Sequence, residues 1–277
     1  MLTEEQKQTW QEKGYLILRG LFSPAEVDFY RDHFMALNAQ GAQASRSVAE
    51  PKPGDPLLKY PRMIHMHRWD KASLDWMLDK RIRDTMVELV GKEPYAVQTM
   101  FYFKPAGARG QALHQDNYYL RAQPGTCIAA WMAVDRCDEA NGCLQLVPGS
   151  QNWPLLCTIK ADTRESFTDI TVPIPEGTPV ESAVMEPGDV LFFNGAVVHG
   201  SLANRTTDRF RRSLIGHYVE GDAQQVGKWY HPALRMDGTR IELETSPDGM
   251  KCGTWVDEDG VERIEMTGFE MVEKASE

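Results

Sequence analysis

His114-Gln115-Asp116 places an imidazole and a carboxylate two residues apart. On an extended strand, positions i and i+2 face the same side, so both groups can reach one ion. A third ligand has to come from elsewhere. His199 offers it, in Val197-Val198-His199-Gly200-Ser201, just after the apolar run Val190 to Phe193. Two histidines and one carboxylate on one face of an octahedron leave three positions open. That suits Fe(II) binding a bidentate keto acid and O2. Alone, the triplet is a weak signal, because 7 histidines among 40 acidic residues produce one by chance. A second pair, His65-Met66-His67, has no matching third ligand and reads as packing or as part of a substrate pocket.

The elements that must position these residues fall into two regimes. Up to about residue 93 the spacing is mainly helical. Thr3-x-x-Gln6 and Ser23-x-x-Glu26 fit the capping-box pattern, with Pro24 at the first helical position of the second. Tyr15 to Leu18 reads as a short extended piece, Gly41 to Pro56 as a loop, and Asp79 to Val90 as a helix. From Pro94 the pattern changes to short apolar or alternating runs: Ala96 to Phe103, Cys127 to Val134, Cys143 to Val147, Ile170 to Ile174, Val190 to Phe193 and Ser213 to Val219. Asn141-Gly142, Pro148-Gly149-Ser150 and Pro187-Gly188-Asp189 mark turns between them. Strands at this spacing predict an all-β sandwich or barrel with helices packed outside. Asp237-Gly238, Asp248-Gly249 and Asp259-Gly260 read as hairpin turns in an acidic C-terminal extension.

The surrounding sequence resembles the phytanoyl-CoA dioxygenase family of iron and 2-oxoglutarate oxygenases. The matching pieces are Phe103-Lys104-Pro105, His114-Gln115-Asp116, Trp131-Met132-Ala133-Val134, Asn141-Gly142-Cys143-Leu144, Val147-Pro148-Gly149-Ser150, Pro187-Gly188-Asp189-Val190 and His199-Gly200-Ser201-x-x-Asn204. They run in the family's order from roughly Gln8 to Val219. The resemblance implies a double-stranded β-helix, a cupin-like jelly-roll barrel that is mainly β with flanking helices. It also implies a metal held by His114, Asp116 and His199, with 2-oxoglutarate and O2 as co-substrates. The expected organisation is a single oxygenase domain over 1–277: a helical part to about 93, a jelly-roll core at about 94–220 and an extension at about 221–277.

The distal carboxylate of 2-oxoglutarate needs a cation, and the planar fork of arginine fits it. Arg209, Arg211 and Arg212 are the candidates. The family places this arginine about a dozen residues past the second histidine, with a small residue two positions later. Arg211-Arg212-Ser213 fits, and one extra residue in the loop Arg205 to Asp208 leaves the register open by one. If Ser213 to Val219 is a barrel strand, Arg211, Ser213, Ile215 and His217 share its inward face. Lys104, Trp131 and Ser201 also match co-substrate positions in the family, and Gln111 is read as facing the barrel mouth. Asp116 occupies the position that related halogenases fill with a small residue, so halogenation is disfavoured.

The resemblance implies oxidative decarboxylation of 2-oxoglutarate to succinate and CO2, coupled to hydroxylation of an unactivated C–H bond. Desaturation and ring formation also occur in the family. Two other readings stay open: a jelly-roll binding or sensor protein that keeps the ligands without turnover, and a zinc or manganese enzyme on a cupin-like barrel. The substrate pocket is expected from Gly41 to Pro56, Ile64 to Trp69, Asn117-Tyr118-Tyr119 and the C-terminal extension. A bulky acyl-CoA needs a basic approach path. Lys52, Lys59, Arg62 and Arg68 are near one another in sequence but form no obvious one, so a small or mid-sized metabolite is preferred.

A net charge of -10 argues against nucleic-acid partners, which need a basic face. No run of about 18 apolar residues predicts a membrane span. Met1 to Lys7 is charged and lacks an apolar signal core. The five cysteines, Cys127, Cys137, Cys143, Cys157 and Cys252, form no CxxC pair and read as reduced thiols of a cytoplasmic protein. The sequence leaves the oligomeric state open.

Overall fold

The computed structural model describes residues 1–42, 48–51 and 53–271. Lys52 and part of the Gly41 to Pro56 loop therefore lie outside the described residues. Both predicted capping boxes form. Thr3 and Gln6 start the helix Glu4–Lys13, and Ser23 and Glu26 start the helix Pro24–Ala39. A third helix, Lys80–Val90, begins at Asp79, whose carboxylate accepts from the Arg81 amide.

The strands assemble into two main antiparallel sheets. In the larger, eight-stranded sheet the order is Tyr15–Leu18, Val190–Asn194, Cys127–Ala133, Ser213–Val219, Tyr95–Tyr102, Ala233–Leu234, Arg240–Ile241, with Met63–Ile64 also paired to Tyr95–Tyr102. The smaller, four-stranded sheet runs Gln111–His114, His199–Ser201, Leu144–Leu146, Glu181–Ser182. This is the double-stranded β-helix that the resemblance implies.

Alternation along each strand divides the larger sheet's two faces. Ile128, Ala130, Met132, Val190, Phe192 and Leu214 pack outward on Phe34, Trp76, Met77, Ile82 and Met86 of the helical layer. Ala129, Trp131, Leu191, Phe193 and Ile215 turn the other way and meet Leu144, Leu146 and Val197 between the sheets. At the outer layer Phe34 stacks on Phe101 at 4.2 Å between ring centroids. The inner face is what the site is built on.

Several expectations need correction. Cys157 and Cys252 form a disulfide, so not all the cysteines are reduced thiols; Cys127, Cys137 and Cys143 are free and buried. The bridge ties the segment between the barrel strands Leu144–Leu146 and Glu181–Ser182 to the hairpin Gly249–Glu258/Val261–Met271. Asp259-Gly260 turns that hairpin with both residues at positive φ. Asp237-Gly238 likewise lies between the paired strands Ala233–Leu234 and Arg240–Ile241. Asp248-Gly249 is no hairpin turn: Gly249 opens a strand and is absent from the positive-φ residues. Lys104 falls two residues past the strand Tyr95–Tyr102, at a φ of 33°.

Candidate active site

The smaller sheet brings the three predicted ligands together. His114 ends its strand and is the register partner of His199 on the neighbouring one. Asp116 lies beyond the strand, with helical φ and ψ, at the start of the turn Asn117–Leu120. It still shares a side with His114, because Gln115 is pinned the other way. The Gln115 amide donates to the Ala196 carbonyl at 2.9 Å and its Oε1 accepts from the Leu156 amide at 2.8 Å.

Both imidazoles have the same arrangement. Nδ1 of His114 bonds the Ala112 carbonyl at 2.9 Å, and Nδ1 of His199 bonds the Val197 carbonyl at 2.9 Å. A carbonyl only accepts, so each Nδ1 carries the proton and each Nε2 presents a lone pair. Those Nε2 atoms stand 3.5 Å and 3.6 Å from Oδ1 of Asp116. The three donor atoms lie within 4.8 Å of one another. Burial drives the His199 pKa down to about 4, with His114 adding to the effect, so the ring is neutral at pH 7. Burial would raise the Asp116 pKa. The neighbouring imidazoles of His199 and His217, with the hydrogen bond from His217, overcome it and hold the carboxyl well below the usual range. Two neutral imidazoles and an ionised carboxylate facing one point fit a divalent metal. The other cluster of potential ligands among the described residues is Cys157, Cys252 and Glu270, whose sulfurs are consumed by the disulfide. His65 and His67 join no such cluster; His67 bonds Thr99 instead.

Behind Trp131 lies a buried cationic group. Arg211 donates from Nε to the Gly142 carbonyl at 3.0 Å and from Nη1 to Ser213 Oγ at 3.1 Å. Its guanidinium carbon is 5.2 Å from the centre of the Trp131 ring. Lys104 donates to the same Gly142 carbonyl at 3.4 Å and to Ser201 Oγ at 2.7 Å. Neither cation has a carboxylate within ion-pair distance among the described residues, whereas Arg209 pairs with Asp138 and Arg212 with Asp135. Burial first, then the charge of Arg211, pushes the Lys104 pKa well down. Gly142 is required where it stands. Its φ is +86°, and a Cβ would meet the Leu202 carbonyl oxygen at 2.5 Å and Lys104 Cδ at 2.9 Å.

A cavity of about 640 Å³ opens in front of the three ligands. Trp131, Leu144, Phe193 and Ile215, which pack together, line it along with Gln111; Arg211, against the Trp131 ring, and Lys104, Ser201 and Ser213 do not. Of the stretches expected to form it, the first contributes Val48 and Ala49, the second Ile64, the third Tyr118 and Tyr119, and the extension Tyr230, Glu270 and Met271. Arg62, Gln98, Tyr102 and Phe167 also line it and were not read as pocket residues. For Gln98 a signal existed: it is a lone amide in an apolar strand, in phase with Met100 and Tyr102.

The family model for phytanoyl-CoA dioxygenase (PhyH) matches residues 10–213. A probable phytanoyl-CoA dioxygenase of Caenorhabditis elegans is 27% identical over 244 residues, covering 80% of this chain and 77% of that one. The peroxisomal phytanoyl-CoA dioxygenase of Rattus norvegicus is 26% identical over 241 residues, covering 82% and 71%. Among solved structures, the non-heme alpha ketoglutarate dependent epimerase SnoN superposes with a TM-score of 0.66 at 20% identity, covering 79% of this chain and 84% of that one. EctD from S. alaskensis does so with a TM-score of 0.66 at 20% identity, covering 89% and 88%. The match spans most of the chain and all of its candidate ligands, so this protein belongs to the phytanoyl-CoA dioxygenase family.

Proposed function

We propose that the chain is an Fe(II)- and 2-oxoglutarate-dependent oxygenase that hydroxylates an unactivated C–H bond of a small or mid-sized metabolite. His114, Asp116 and His199 hold the metal. Arg211, Lys104, Ser201, Ser213 and Trp131 hold 2-oxoglutarate.

One observation carries this reading: two buried basic side chains, Lys104 and Arg211, share a single carbonyl and have no anionic partner among the described residues. A buried charge without a counter-charge is costly, so the pair calls for an anionic ligand. Ser201, bonded to Lys104, sits two residues after His199 on one strand. That separation is roughly 7 Å, a distance that a five-carbon keto diacid spans. One carboxylate end would meet the fork of Arg211, and the keto acid end would face the three ligands.

When bound, iron would supply O2 activation coupled to oxidative decarboxylation of the keto acid. The chain supplies the rest. Asp116 stays ionised, and His114 and His199 keep Nε2 unprotonated through their main-chain bonds. Trp131, Leu144, Phe193 and Ile215 keep the inner end of the cavity apolar, which limits water at the reacting atoms.

We also take the chain to work as one unit, because the C-terminal hairpin contributes Glu270 and Met271 to the cavity wall. A cytoplasmic placement belongs to the same proposal and is supported by the three buried free thiols. The Cys157–Cys252 bridge weighs against it. No helix of the described residues is long and apolar enough to cross a membrane.

The test is anaerobic reconstitution with Fe(II) and 2-oxoglutarate, followed by exposure to O2 and measurement of succinate. Succinate is expected from the wild type and not from His114→Ala, Asp116→Ala or His199→Ala. If the wild type binds 2-oxoglutarate but forms no succinate with any compound of a metabolite library, the protein is a sensor. Zinc or manganese found after anaerobic purification, with no succinate on adding Fe(II), would point to a zinc or manganese enzyme instead.

A further inference from the structure

Arg62 immediately precedes the strand Met63–Ile64. Met63 turns into the core, while Arg62 and Ile64 line the cavity. In a chain of net charge -10 most buried or half-buried arginines find a carboxylate: Arg81 pairs with Glu26 and Asp79, Arg109 with Asp55, and Arg212 with Asp135. Arg62 does not. Among the described residues no carboxylate lies within 4.0 Å of its guanidinium, and its buried Nε has no hydrogen-bond partner. The Phe167 ring lies 5.5 Å from its guanidinium carbon. A cation–π contact of this kind replaces only part of what a paired carboxylate gives.

The other charges on the cavity wall do not neutralise it. Asp116 faces the metal ligands. Glu270 is held by the amide and hydroxyl of Thr158, and Asp169 is exposed at the rim. Arg62 lines the same cavity as His114, Asp116 and His199. Tyr119, on that wall too, has its ring centroid 6.3 Å from that of His114. The co-substrate site is accounted for separately by Arg211 and Lys104, behind Trp131.

We propose that Arg62 anchors a carboxylate of the primary substrate, whose apolar aliphatic or aromatic body lies against Tyr102, Tyr119, Phe167 and Ile64 with one C–H bond directed at the metal. A single guanidinium fork matches a singly charged carboxylate, whereas a phosphate dianion would call for a second cation on this wall. An acyl thioester carries no charge at that carbon, so the free acid is the form selected. This inference rests on the assignment of His114, Asp116 and His199 as the metal site.

The test uses matched probes, 3-phenylpropanoate and octanoate against their primary amides. Each is titrated into the full chain loaded with Mn(II) and 2-oxoglutarate, where no turnover occurs. Binding is followed by calorimetry and by broadening of the probe's proton signals by Mn(II), which reports closeness to the metal. The acids are expected to bind the wild type about 10-fold or more tightly than the amides, the gain of one charge-assisted pairing. Arg62→Gln should abolish that preference and Arg62→Lys should restore part of it, with 2-oxoglutarate affinity unchanged in both. Equal binding of acid and amide to the wild type, including no binding of either, overturns the proposal. So does a preference that survives in Arg62→Gln. Failure of 2-oxoglutarate itself to bind the wild type would instead overturn the co-substrate assignment.

Discussion

His217 Nε2 bonds Oδ2 of Asp116 at 3.1 Å, joining the larger sheet to the metal carboxylate of the smaller one. The two oxygens of Asp116 thereby have separate surroundings. Oδ1 faces the Nε2 atoms of His114 and His199, and Oδ2 is held by the imidazole. An ionised carboxylate only accepts, so Nε2 of His217 is the protonated nitrogen. Its Nδ1 is buried without a hydrogen-bond partner.

The expected result is that His217→Leu frees Asp116 to rotate and weakens metal binding by about 10- to 100-fold, the usual effect of losing a group that orients a ligand. His217→Gln should recover part of the affinity, because its amide N–H can still donate. Mn(II) titration of the metal-free protein measures this without any dependence on turnover. Unchanged Mn(II) affinity in His217→Leu would mean that the bond does not hold the carboxylate for the metal.

Arg211 is expected to control 2-oxoglutarate affinity, and Arg209 and Arg212 to control stability instead. Arg211→Ala should weaken binding roughly 10- to 150-fold, since a charge-assisted bond contributes about 1.5–3 kcal/mol. Arg211→Lys should recover little, because an ammonium cannot form the fork. Arg209→Ala and Arg212→Ala should leave the affinity near wild type, as each of these arginines is already committed to an aspartate. Lys104→Met removes one of two adjacent buried cations. It should weaken 2-oxoglutarate binding while lowering the ligand-free melting temperature little, because repulsion with Arg211 is relieved. A large affinity loss in Arg212→Ala alone would reverse the assignment.

What was legible in the sequence was local or periodic. The strand Ser213–Val219 has its predicted bounds, and its alternation puts Ile215 and His217 on the cavity side. The capping boxes at Thr3 and Ser23 need only residues three apart. What was not legible depends on contacts between distant segments. Whether Cys157 meets Cys252 is decided by how the hairpin returns to the barrel, across a separation of 95 residues. Arg62 could be read as basic but not as unpaired, because pairing is a property of the neighbours the fold provides. Lys104 was legible as a motif position, but the left-handed backbone that sets its direction was not.

His67 gives a pH dependence with a definite sign. Burial, helped by the charge of Arg68, lowers its pKa from 6.5 to about 4. The folded protein therefore resists protonation that the unfolded chain accepts. The contribution of neutral His67 is fully present above about pH 6.5 and is lost as pH falls through 4. Unfolding free energies of the metal-free protein, from denaturant titrations between pH 7 and 4.5, should fall less steeply in His67→Gln than in the wild type. The difference in slope should be at most about 1.4 kcal/mol per pH unit, the value for one proton. Parallel curves would show that His67 does not titrate between the two states.

The Cys157–Cys252 bridge is expected to stabilise the fold and to shape only the substrate end of the cavity. It closes a loop of 95 residues, and the chain-entropy account gives about 4.7 kcal/mol for a loop of that order, with about 2–4 kcal/mol usual in practice. Cys252→Ser should lower the unfolding free energy by that usual amount, and Cys157→Ser by a similar amount. Reductant should do the same to the wild type and nothing further to either variant. The hairpin that carries Cys252 also brings Glu270 and Met271 to the cavity wall, and Glu270 bonds the amide of Thr158, the residue after Cys157. Arg211, Lys104 and the metal ligands belong to the barrel and do not touch the bridge. Loosening the hairpin should therefore alter binding of the primary substrate while 2-oxoglutarate and Mn(II) affinities stay near wild type. Denaturant unfolding with and without dithiothreitol gives the first quantity, and co-substrate and metal titrations give the second. If dithiothreitol leaves the wild-type unfolding midpoint unchanged, the bridge does not stabilise this protein in solution. If Cys252→Ser loses 2-oxoglutarate binding along with stability, the hairpin supports the whole barrel rather than its substrate end.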